Sequence, residues 1–87
     1  MKLMMIVVRD TDDEEVVQEL IRHGYGVTRM ASTGGFLRRG NITLMVGLQD
    51  DQVDDVLEVL REKTMPAEPG LSRATVFVVD MPYFEKI

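Results

Sequence analysis

Two stretches of this chain carry the same message. Met5-Ile6-Val7-Val8-Arg9-Asp10 passes from apolar to charged and leads into an acidic helix start, and Met45-Val46-Gly47-Leu48-Gln49-Asp50 does the same. A strand that feeds a helix twice leaves few architectures open to a chain of 87 residues. Each helix has to bury its apolar stripe on the sheet that those strands build.

The elements follow from periodicity. Leu3 to Val8 is an unbroken apolar run, which suits a strand buried on both faces or central in its sheet. Thr11-Asp12-Asp13-Glu14 has capping-box spacing, and its acids complement a helix dipole. Val16, Val17, Leu20 and Ile21 then share one helical face, and Gly24 is a natural stop after His23. A second strand runs roughly from Val27 to Ala31. Ile42, Leu44, Val46 and Leu48 alternate with Thr43, Met45 and Gly47, the period of a third strand. Asp50 or Asp51 caps a second helix, with Val53, Val56, Leu57 and Leu60 as its buried stripe. Pro66, Pro69 and Gly70 mark a loop from about Thr64 to Arg73. Ala74 to Val79 is a fourth strand, ended by Met81-Pro82.

The order strand, helix, strand, strand, helix, strand is the split βαβ, or ferredoxin-like, pattern. It predicts one α+β domain over residues 1–87, with an antiparallel sheet and both helices on one face. The other face is left bare, and a subunit interface is the simplest cover for its apolar residues.

Composition removes several functions. The net charge of −5 argues against a nucleic-acid polymer as partner, which needs a broad basic surface. With no cysteine there is no disulfide, thiolate nucleophile or zinc-thiolate site. The apolar start is too short for a signal peptide or a membrane span, so the expected location is cytoplasmic. No nucleophile, base and oxyanion donor assemble, so a non-catalytic protein is expected. His23 should meet the helix dipole or water. The acids at 12–15, 50, 51, 54, 55 and 58 read as caps and outer helix faces rather than as a metal site, and the seven methionines read as core filler.

The stretch Thr33-Gly34-Gly35-Phe36-Leu37-Arg38-Arg39-Gly40-Asn41 carries more than a turn requires. A long hairpin loop would account for its glycines. Its length exceeds that of most hairpin loops, though, and Phe36 and Leu37 place apolar surface beside flexible backbone. Asn41 can both donate to and accept from an adenine edge, and glycine-flanked amides can form an anion nest. Together these suggest a flat, anionic ligand such as a nucleotide. Arg38 and Arg39 are either phosphate contacts or solvated charges at the loop tip. Gly47, inside a strand, marks a bulge, a ligand's close approach or a small residue under a helix.

These residues carry a family likeness. From Met1-Lys2-Leu3, through Val27-Thr28-Arg29-Met30-Ala31-Ser32-Thr33-Gly34-Gly35-Phe36-Leu37, Gly40-Asn41, Thr43 and Gly47, to Ala74-Thr75-Val76-Phe77-Val78, the chain resembles the cyclic-di-AMP receptor family of PII-like signal-transduction proteins. The resemblance implies a PII-like, ferredoxin-like subunit that forms a homotrimer and binds cyclic-di-AMP in clefts between subunits, with no cofactor. It implies that Thr28, Gly35, Phe36, Leu37, Asn41 and Gly47 line the pocket and that Phe77 adds an aromatic wall. Asn41 would read an adenine edge, Phe36 and Phe77 would supply stacking surface, and Thr28 with the Gly35–Leu37 backbone would hold ribose or phosphate. Three positions depart from the family pattern. Gly26 stands where the family often has a basic residue, and Lys86 where it has glutamine. The Thr64 to Arg73 connection is short where family members carry a long loop that responds to ligand and meets a downstream protein. The alternatives are a regulator of another adenine nucleotide, ATP or ADP, and a structural or interaction trimer without ligand. A small hydrolase ranks last for want of catalytic groups.

Overall fold

In the computed structural model, residues 1–30, 40–66, 69–70 and 72–87 are described. The strands are β1 (Lys2–Arg9), β2 (Val27–Met30), β3 (Asn41–Leu48) and β4 (Ala74–Asp80), and the α-helices are α1 (Asp13–Arg22) and α2 (Val53–Lys63), the second entered through a 3₁₀ turn at Asp50–Gln52. The strands form one antiparallel sheet in the order β2-β3-β1-β4. This is the α+β, ferredoxin-like arrangement that the element order predicts.

Strand pleating sorts the apolar residues onto two faces. Met4, Ile6 and Val8 of β1 pair with Val46, Leu44 and Ile42 of β3. Leu44, Val46, Leu48, Met4, Ile6 and Val8 are buried in one core with Val16 and Leu20 of α1 and Val56, Val59 and Leu60 of α2. Both helices therefore cover the same side of the sheet. Leu3, Met5 and Val7 point the other way and are only half-buried. The apolar run of β1 is thus central in the sheet and covered on one face within the single chain.

The helix ends differ in part from the capping expected. Gly24 does end α1, at φ +91. The Tyr25 amide donates to the Leu20 carbonyl (3.0 Å) and the Gly24 amide to that of Ile21 (2.9 Å), the double closure of a Schellman motif. At the other end, α1 starts after Asp12, which makes no side-chain cap. The Asp12 carboxylate accepts from Arg9 Nε (3.0 Å) and from the Met65 amide (3.4 Å) instead. The cap before α2 is not an aspartate either. Gln49 and Gln52 form a reciprocal capping box, because the 3₁₀ turn moves the helix entrance back to Gln49. On α1, Ile21 is exposed; on α2, Val59 joins the buried stripe.

Candidate functional site

On the sheet face away from the helices, register places the outward residues in rows. Thr28, Met45, Met5 and Phe77 form one row across β2, β3, β1 and β4, and Gly47, Leu3 and Val79 form the next. Near the β2–β3 side this face dips into an open concavity of about 410 Å³. Among the described residues, its walls are Met1, Leu3, Met45, Met81 and Phe84, with Gly26, Thr28, Gly47 and Lys86 also lining it. Gly47 adds no side chain to it, and a Cβ built there would meet Met81 Cε at 3.6 Å, an ordinary van der Waals contact.

The concavity brings together Thr28 and Gly47 of the residues expected to bind ligand. Two others, Asn41 and Phe77, are not part of its lining. Asn41 is the first residue of β3 and pairs with Arg9, at the opposite end of the strand from Gly47. Six residue steps along the strand separate the two, roughly 20 Å. Phe77 shares the Thr28 row but belongs to β4, the far edge strand, at roughly 14 Å, three strand spacings away. It is 51% exposed. Gly35, Phe36 and Leu37, with Arg38 and Arg39, lie outside the described residues.

Sequence reasoning passed over most of the concavity's apolar lining. Leu3 and Met45 have the same outward parity as Gly47, so the period-two pattern held the signal. Met1, Met81 and Phe84 had none, because the path of the tail decides where they lie. That path is fixed by the Met81 amide, which donates to the Met1 carbonyl (3.0 Å), and by the Lys2–Asp80 ion pair beside it. The pair raises the Lys2 amine and lowers the Asp80 carboxyl from their ordinary ranges.

A second polar group lies outside this face. His23 Nδ1 is 2.9 Å from Asp55 Oδ2 and Nε2 is 3.2 Å from Glu19 Oε1, so the ring links α1 to α2. Its role is a bridge between carboxylates rather than a contact with the dipole or water alone. The Tyr25 hydroxyl donates to the same Asp55 oxygen (2.6 Å). Carboxylates only accept, so two of them favour the doubly protonated ring. The Asp55 hydrogen bond, followed by its charge and those of Glu19, raises His23 above its ordinary value. Burial and the bond to Asp55 push the Tyr25 hydroxyl up to about 12. Among the described residues, no cluster of His, Asp and Glu is arranged to hold a metal ion. No helix among them is long and apolar enough to cross a membrane.

Fold and site together define a small ferredoxin-like chain with an open, partly apolar sheet face. Residues 1–69 match the model of the cyclic-di-AMP receptor family, and the chain belongs to that family. The match ends before β4 and the tail, so Phe77, Phe84 and Lys86 lie beyond it. Among solved structures, the chain is similar to a functionally unknown protein from Pediococcus pentosaceus. The two share 29% identity over 99% of this chain and 96% of that one, with a TM-score of 0.80.

Proposed function

We propose that this protein is a non-catalytic signalling receptor that binds cyclic-di-AMP between the subunits of a homotrimer. The observation that carries the proposal is the spacing of the expected site residues. Thr28 and Gly47 share one concavity, while Asn41 lies a strand's length away and Phe77 lies on the opposite edge. One ligand can use all of them only if neighbouring copies bring different parts of this surface together. A homotrimer has three equivalent interfaces, so each chain would take part in one complete site on either side.

The uncovered sheet face supports the same reading. Met30, Phe77 and Val79 are each close to half exposed in the single chain. Apolar surface of that extent on a small domain marks an interaction site. Family membership supports the ligand class.

A thermal-shift panel of cyclic-di-AMP, ATP, ADP and AMP tests the assignment. At about 100 times its Kd, a ligand specific for the native state should raise Tm by about 10–20 °C in a domain of this size. Cyclic-di-AMP should give the largest shift. A larger shift with ATP or ADP would assign the site to another adenine nucleotide. No shift with any of them, in a folded protein, would leave an interaction trimer without ligand.

A further inference from the structure

We propose that Met45 and Met81 form a redox-sensitive modification site, where a peroxide oxidises their thioethers to sulfoxides and thereby lowers the affinity of the sheet face for its ligand. The oxidation itself does not depend on what binds there, while the effect on affinity rests on the nucleotide-binding reading above. The chain has no cysteine, so its seven methionines hold all of its sulfur. They are not equivalent. Met4 is fully buried in the core, as a gap-filling methionine is. Met1, Met45 and Met81 instead line the open concavity. Met45 and Met81 are each partly exposed, and Met81 Cε lies 3.6 Å from where a Cβ on Gly47 would stand. The Met81 amide donates to the Met1 carbonyl at 3.0 Å, which fixes the backbone that carries this side chain.

Hydrogen peroxide is small enough to enter an open concavity of about 410 Å³. A thioether lone pair attacks one peroxide oxygen, and the S–O bond forms as the O–O bond breaks. The hydroxide that leaves takes the proton of the transferred oxygen and becomes water. Sulfur gives up two electrons and the peroxide is reduced. The product replaces a flexible apolar group with a polar, chiral one. Its new oxygen needs hydrogen-bond donors, and Thr28 and Lys86 are the side chains of the described lining that can donate. A ligand that packs a flat apolar part on these methionines must then strand that oxygen away from water or give up the contact. A bound ligand in turn covers both sulfurs and slows their oxidation. Met65, 64% exposed and outside the concavity, is an internal measure of exposure to the oxidant.

The test is equilibrium titration of the full chain with cyclic-di-AMP and with ATP, before and after treatment with dilute hydrogen peroxide. Peptide mapping by mass spectrometry locates the sulfoxides, and circular dichroism confirms that the treated protein is folded. Met45 and Met81 should oxidise well before Met4, and bound ligand should slow them without slowing Met65. Their oxidation should weaken the ligand about tenfold, the size expected when a polar group is buried against it without full compensation. Methionine sulfoxide reductase should restore the affinity. A Met45→Leu, Met81→Leu double variant should hold its own starting affinity, whatever that is, through the same treatment. Unchanged affinity in a wild type oxidised at both positions would overturn the inference and leave the ligand reading standing. So would an equal loss in the double variant, or oxidation of Met45 and Met81 no faster than that of Met4. A folded, reduced wild type that binds neither cyclic-di-AMP nor ATP would overturn the ligand reading and the inference together.

Discussion

Asn41 and Gly47 are the first and next-to-last residues of one strand, and that spacing decides how a ligand can use both. Residue identity alone makes each a plausible contact, one for its amide and one for its missing side chain. The strand they share, not their identity, sets them at opposite ends of β3. His23 shows the same limit. Its place at the end of α1 was readable from Gly24, but its partner Asp55 lies on the other helix, and packing alone brings the two together. The consequence is a pH dependence with a definite sign. A histidine whose folded pKa is raised stabilises fully below its unfolded value of about 6.5, and that contribution is lost as pH rises through the folded value. Asp55 is held below its usual range by the His23 and Tyr25 hydrogen bonds, so it remains charged to acid pH. The stability gap between wild type and His23→Gln should therefore be widest from about pH 5 to 6 and close toward pH 9. Thermal melts across that range check it, and a gap that widens with rising pH would contradict the bridge.

At the scale of elements, periodicity did most of the work. The stripes of α1 and α2 and the alternation in β3 placed these three elements because one face of each is buried in the same core. The helix entrances were less legible. Thr11 and Glu14 have the spacing of a capping box, yet Asp12 is drawn off to hold together the end of β1, the start of α1 and the segment after α2. Arg9 completes that junction by reaching both Asp12 and the Met65 carbonyl. Competition between a local cap and a distant ion pair is settled by tertiary contacts, which spacing does not encode. Asp12 is only 2% exposed. Asp12→Ala should cost about 2–3 kcal/mol, as loss of a buried charged acceptor and its hydrogen bonds does. Urea denaturation measures this directly. A change below about 0.5 kcal/mol, the range of ordinary surface substitutions, would remove the junction from the account.

For the molecule as a whole, the open sheet face connects fold to function. The repeated strand-into-helix pattern already implied helices on one side and a bare surface on the other. It could not show where that surface dips, because the concavity depends on the course of the tail over Gly47. Nor could it show that Thr28 and Phe77 share a row yet stand at opposite edges of the sheet. That separation is what turns a collection of expected contacts into a case for assembly. The most direct test is isothermal titration of the folded, full-length chain with cyclic-di-AMP. The predicted result is saturable binding at one ligand per chain, the ratio that three equivalent interfaces in a trimer require. Absence of binding by the folded protein, or a ligand-to-chain ratio that three equivalent interfaces cannot give, would contradict it.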